Sequence, residues 1–255
     1  MKSSKSEPVK NQSDIALAEE QILLGSQQQP AWHVVVLSFF TLGAYNMFWL
    51  YRNLNNLSQG AKQLQDSING VSSEAHLRHL ESPAEAPEPD SNIMTAQELE
   101  DAHIRLGRAG TLDTYLKFSQ ARPILTTALF AIPIVNLLVL LGFGHMSAQL
   151  VPDRESFVRK NSQFSGFVVA LLFGALTLLS VNLLKWLPEP LHLLYLSSSI
   201  SLAAVQVWLN RHWKLVEDNK RLARQAFSPL ELVAIVLGAA WIGLIVVHQD
   251  LKPGM

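Results

Sequence analysis

The sequence predicts an all-α integral membrane protein: a helical bundle of about five apolar segments, one of them able to re-enter, with amphipathic juxtamembrane helices. Three observations predict it. Of 255 residues, 49% are apolar and only 16% charged, where an ordinary soluble domain carries roughly a quarter. The hydrophilic connectors carry nearly all of the charges. Between them run apolar stretches of about 19–24 residues, above the minimum of roughly 17 for a span. A net charge of −1 argues against a nucleic-acid partner, which needs a basic surface. The chain has no cysteine, which removes disulfides, thiolate catalysis and Cys-ligated metals. The expected partners are the lipid bilayer and either a second copy or another membrane protein.

Residues 1–29 read as a polar tail containing a short amphipathic helix, which Ser13 or Asp14 would cap and Gly25 would stop. No cleavable leader is visible there, so the first apolar segment would act as the membrane signal. That segment, residues 30–52, is framed by Trp32 and by Trp49 with Tyr51. The two tryptophans stand about 26 Å apart on a helix, close to the roughly 30 Å hydrocarbon thickness that interfacial aromatics bracket.

Residues 53–122 form a hydrophilic connector. Leu50, Leu54, Leu57, Ala61, Leu64, Ile68 and Val71 alternate three and four apart. Such a stripe suits a coiled coil, a surface helix or packing inside the connector itself. A proline-rich acidic linker follows, with Pro83, Pro87 and Pro89. A second helix is expected from Thr95 to Ser119, placing Leu99, Ala102, Leu106 and Leu116 on one side and weakened by Gly107 and Gly110.

Segment two covers residues 123–150, with Pro133 and Asn136 at its middle. Segments three and four, residues 164–209, read as a hairpin about Pro188-Glu189-Pro190, since proline cannot continue a helix. Gly166, Ala170 and Gly174 recur every four residues and form a small-residue groove on segment three, which Ser201 and Ala204 of segment four are placed to fill. A basic connector, 210–228, leads to segment five, 229–248.

Topology carries a conflict. Positive charge marks the cytoplasmic side, and three connectors are basic: Arg52, Arg105, Arg108 and Arg122 in the first, Arg154, Arg159 and Lys160 in the second, and Arg211, Lys214 and Lys220 in the fourth. A simple crossing by segment two would put the first and second on opposite sides. Either the rule fails at one loop, or segment two bends at Pro133 and Asn136 and returns to its own side, its backbone covered by protein.

The run Thr41-Leu42-Gly43-Ala44-Tyr45-Asn46-Met47-Phe48-Trp49-Leu50-Tyr51-Arg52 resembles the T-L-G-I-Y-x-x-Y-W-x-Y-R segment of an uncharacterised family of prokaryotic membrane proteins. The resemblance covers Trp32 to Leu57, and Ala44 and Phe48 stand where the family has Ile and Tyr. It implies a small multi-pass protein of a prokaryotic inner membrane and brings no activity. Read physically, Thr41 can return its hydroxyl to a carbonyl one turn back, and Gly43 permits a bend or a close approach. Tyr45, Trp49 and Arg52 share a stripe, with Trp49 and Tyr51 expected at headgroup level. Anchoring and packing are the ordinary roles of such a segment. Tyr45, Asn46 and Arg52 are its ligand- or lipid-binding candidates, and Asn136, three residues after Pro133, is another, because polar groups within membranes are costly.

No catalytic residues, cofactor or metal site are expected. No serine elbow, H-E-x-x-H or phosphate-cradling glycine loop occurs, and His76 and His79 lie on a proline-rich linker that makes a poor frame for ligands. The leading expectation is a structural or interaction component of a membrane complex. A transporter or channel subunit built around Pro133 and Asn136 is the alternative, and an intramembrane enzyme comes third.

Overall fold

The computed structural model describes residues 27–41, 43–77, 95–132, 134–183, 198–218 and 226–250. All regular structure among them is helical: α1 Ala31–Phe40, α2 Ala44–Leu77, α3 Ala96–Ala109, α4 Leu112–Lys117 running into a 3-10 turn at Phe118–Gln120, α5 Pro123–Phe130, α6 Val135–Gln149, α7 Phe157–Lys160, α8 Ser162–Leu183, α9 Ser199–Val216 and α10 Pro229–Asp250. The expected helix near the N-terminus, Pro133 itself and the Pro188–Pro190 turn lie outside the described residues.

No helix among the described residues is long and apolar enough to cross a membrane. For segments one and two the reason is a break in each. Segment one divides into the 10-residue α1 and the start of α2, with Gly43 at φ +84° between them, a conformation that needs a residue without a β-carbon. At 1.5 Å per residue α1 is about 15 Å long, half a hydrocarbon core. Segment two divides into the 8-residue α5 and the 15-residue α6. Ile134 stands between them at φ +72°, an unusual backbone for a β-branched side chain.

Both broken segments return toward where they began. Receding from the Thr41–Gly43 turn, Ser38 Oγ donates to Asn46 Oδ1 at 2.5 Å, Arg52 Nη1 donates to Gln29 Oε1 at 3.4 Å, and Asn56 bonds Gln27. For segment two, Thr114 Oγ1 on α4, in the connector before α5, donates to Gln149 Oε1 at the end of α6 at 3.3 Å.

The three basic connectors meet. Arg159 donates through Nη1 to Ala109 O and through Nη2 to Gly110 O, both at 2.6 Å, while Arg154 Nε and Nη2 reach Ala109 O and Arg108 O. Two guanidiniums from the second connector therefore cap the C-terminus of α3 in the first, where unpaired carbonyls and the helix dipole favour cations. Burial and the neighbouring Arg154 lower the Arg159 pKa, and Asp153 opposes them. From the first connector, Arg105 Nε and Nη2 cap Leu215 O and Val216 O at the end of α9, at 3.0 and 2.8 Å, with Asp218 3.5 Å from Nη1.

The apolar stripe of α2 is consumed inside the chain. Leu50, Leu54, Leu57, Ala61 and Leu64 are buried in one core with Leu99, Ala102 and Leu106 of α3, Tyr115 and Phe118. The second connector helix is two helices. α3 starts on a Thr95–Glu98 capping box and stops at Gly110, φ +68°, whose left-handed conformation ends the helix.

The groove on α8 faces α6, where the spacing predicted segment four. Gly144 and Gly166 meet backbone to backbone, a β-carbon on Gly166 would lie 2.6 Å from His145 N, and one on Gly174 would lie 3.2 Å from Leu137. Partner numbers fall on α6 as they rise on α8, so the helices run antiparallel. Close backbone approach gains dispersion contacts that a larger residue would block. Ala170 is buried beside them, whereas Ser201 and Ala204 line a cavity on another side of α8.

Candidate functional site

The Thr41–Arg52 run builds a buried polar seam. Thr41 returns its hydroxyl to Leu37 O at 2.7 Å and accepts Tyr45 N–H at 2.9 Å, closing one helix and starting the next. From α2 the side chains of Tyr45, Trp49 and Arg52 then project as one stripe. The Tyr45 hydroxyl accepts from Gln29 Nε2 at 2.8 Å and donates to Glu231 Oε1 at 3.4 Å. Arg52 Nη1 stands 3.9 Å from the same Glu231 oxygen. Trp49 Nε1 donates to Gln206 Oε1 at 2.6 Å, and Gln206 Nε2 donates to Asn210 Oδ1 at 2.8 Å. Asn210 and Gln29 exchange bonds, Nδ2 to the Gln29 carbonyl at 2.7 Å and Gln29 N–H to Oδ1 at 3.1 Å. Glu217 accepts Gln27 N–H and Gln28 Nε2 at 2.8 and 2.9 Å.

One network therefore ties residues 27–29 to α2, α9 and α10. Its members Gln28, Gln29, Tyr45, Gln206, Glu217 and Glu231 are all buried, and buried polar groups of this kind must be paired to be tolerated. Asn46 sits in a smaller knot near the turn, its Oδ1 accepting from Ser38 and from Ser199 at 3.3 Å. Tyr45, Asn46 and Arg52 are thus partnered within the chain. Trp49, expected at headgroup level, is fully buried, whereas Trp32 is 54% exposed and Tyr51 also faces outward. Asn136 is half-buried, and its backbone N–H bonds Ile132 O.

Glu231 is the seam's anchor, and sequence reasoning passed over it. Ser228-Pro229-Leu230-Glu231 is a capping box with proline at the first helical position: Ser228 N–H donates to Glu231 Oε2 at 2.8 Å and Glu231 N–H to Ser228 Oγ at 3.3 Å. That spacing was the available signal. Gln29, Asn210 and Glu217 carry no local signal, because each acquires its role from a partner far along the chain.

A second buried polar group stands apart. His212 is fully enclosed beside Tyr115, ring centroids 4.8 Å apart, with neither ring nitrogen hydrogen-bonded. Burial pushes its pKa down to about 3 and raises that of the Tyr115 phenol. The seam combines amides, a phenol, an indole, two carboxylates and a guanidinium, with no serine or histidine placed in it as a nucleophile–base pair. Among the described residues no three His, Asp or Glu side chains converge on a point that could hold a metal ion. The chain matches no protein-family model, no curated protein and no solved structure.

Proposed function

We propose that this chain is an integral membrane protein whose apolar hairpins enter the bilayer from the side of the basic connectors, and that it serves as a structural or interaction component of a membrane complex. The observation that carries the reading is the apolar surface. Ile124 on α5, Ile134 and Leu138 at α6, Leu178 on α8, and Val236 and Leu237 on α10 are 65% exposed or more. Each would cost about 1.5–3 kcal/mol in water relative to burial, and lipid removes that cost. A hairpin that enters and returns needs no helix long enough to cross.

The arginine-capped junctions among connectors one, two and four support a common side for them, and with it re-entry of segment two. Irregular chain at membrane depth must be covered by protein: at the first break Gly238 of α10 packs directly on the Phe40 carbonyl, whereas at the second Ile132 and Ile134 face outward, which counts against re-entry there. The resemblance of Thr41–Arg52 to a prokaryotic membrane family favours an inner-membrane location. For the transporter alternative, Gln206 is engaged by Trp49 and Asn210, which leaves little of it to line a solute path.

The test is membrane partition with cysteine mapping, convenient in a cysteine-free chain. The protein should stay with membranes through high-pH carbonate, and cysteines at 52, 120, 159 and 211 should label from the same side. Carbonate release overturns the membrane reading, and labelling of 120 and 159 from opposite sides overturns re-entry. Purification in mild detergent should retain a stoichiometric protein partner; a chain recovered alone and monodisperse, with solute flux in vesicles, would favour the transporter.

A further inference from the structure

We infer that the cleft between α8 and α9 is a binding site for one anionic phospholipid, an acyl chain lying in the cleft and the phosphate at Arg211. The inference rests on the membrane reading above. The cavity measures about 190 Å³ and is lined by Val168, Val169 and Leu172 of α8, Ala204 and Trp208 of α9, and Phe157 at one end. That volume is below the roughly 300 Å³ of a drug-sized site and holds only several methylenes, so the open cleft would seat part of one acyl chain and leave the rest in lipid. Its walls are apolar, with Ser201 bonded away to the Ser198 carbonyl at 2.7 Å, so nothing in it would hold water.

The polar end is supplied by helical spacing. Ser201, Ala204, Trp208 and Arg211 fall three or four residues apart and share one face of α9. Arg211 stands one turn beyond the cavity, toward the basic connector. It is exposed and makes no ion pair or hydrogen bond among the described residues. It differs in this from Arg105, Arg154 and Arg159, which cap helix carbonyls, and from Lys160, which pairs with Glu155. An apolar trough opening toward a free guanidinium matches the two parts of an anionic lipid, and a guanidinium binds phosphate through paired hydrogen bonds.

The test uses the full chain, delipidated in detergent and then titrated with phosphatidylglycerol or phosphatidylcholine and read by native mass spectrometry. One lipid should be retained, with phosphatidylglycerol preferred. Arg211→Gln should lower that preference about fivefold, the loss of one cation–lipid attraction. Ala204→Trp, at an exposed position, should reduce retention of both lipids while circular dichroism stays unchanged. Equal retention by wild type and Ala204→Trp, or an unaltered preference in Arg211→Gln, overturns the site. If Ala204→Trp fails to fold, Ala204→Leu gives the same readout. A chain that resists carbonate yet retains no lipid loses this site and keeps the membrane reading; a chain released by carbonate loses both.

Discussion

At the Thr41–Gly43 break the chain turns half-buried against α10, whereas between Phe130 and Val135 it turns at the surface. The first turn is covered on one side: Phe40's carbonyl lies under Gly238, and Asn46 bonds Ser38 and Ser199. The second carries Ile132 and Ile134, which are 48% and 77% exposed. The hairpins below the turns differ accordingly. Segment one is closed by the hydrogen-bonded seam running to Gln29, Asn210 and Glu231. Segment two is anchored to segment three through its second arm, where glycines let α6 and α8 touch backbone to backbone. One geometry is thus held in two ways, by directional bonds where polar partners converge and by dispersion where they do not. The directional closure can be weakened one bond at a time. The packed one fails when a single atom is added.

That contrast orders the expected effects. Gly166→Leu should be the most damaging, since a β-carbon there meets the His145 backbone and backbone cannot move aside as a side chain can. A loss of about 3 kcal/mol is expected, read as a fall in detergent melting temperature. Gly142→Ala is the control, because nothing lies within 4 Å of its added carbon. A mild Gly166→Leu would dissolve the distinction between the hairpins.

Glu231→Ala should cost about 2 kcal/mol, because it takes one partner each from the Tyr45 hydroxyl and from Arg52 and removes half of the α10 capping box. Tyr45→Phe removes only one hydroxyl and should cost about 1 kcal/mol. If the seam is a unit, the double variant will lose less than the sum of the two, and simple additivity would show that its bonds act separately.

The third expectation concerns pH, near the packed core. The His212 pKa in the folded chain is about 3, below the ordinary value near 6.5. The unfolded chain therefore binds more protons between these values, and stability rises with pH across that window and falls as pH drops below about 6.5. By pH 5 the loss reaches at most about 2 kcal/mol. His212→Phe should flatten this part of the melting profile, and an unchanged slope would assign the effect to other groups.

The smallest effects test the turns directly. Gly43→Ala should cost about 1 kcal/mol, because φ +84° strains any β-carbon. Ile134→Gly should be neutral or stabilising by about 0.5 kcal/mol, since relief at φ +72° offsets the extra freedom of glycine in the unfolded chain. Matching losses in both would mean that the second turn depends on its isoleucine side chain as much as on its backbone.

Much was legible in the residues themselves. The all-helical class, a bend in the middle of segment two, the Thr41 bond, the apolar face of α3 and the small-residue character of Gly166 and Gly174 are consequences of local periodicity and of residues with special backbones; the break at Gly43 is not among them, since segment one reads as a single span. Tertiary structure decided which surfaces meet. Sequence spacing aimed the α8 groove at segment four, yet a groove states only how closely a neighbour can come, and α6 offered Gly144 at the matching height. It placed Trp49 at an interface because aromatic spacing matched a membrane's thickness. Trp49 is instead buried because the break at Gly43 turns the helix back onto α9, where Gln206 accepts its indole N–H. Local interactions fix where a chain bends and which side chains share a stripe. What that stripe touches depends on partners over 150 residues away, such as Gln206 and Glu231, and only the folded chain brings them within reach.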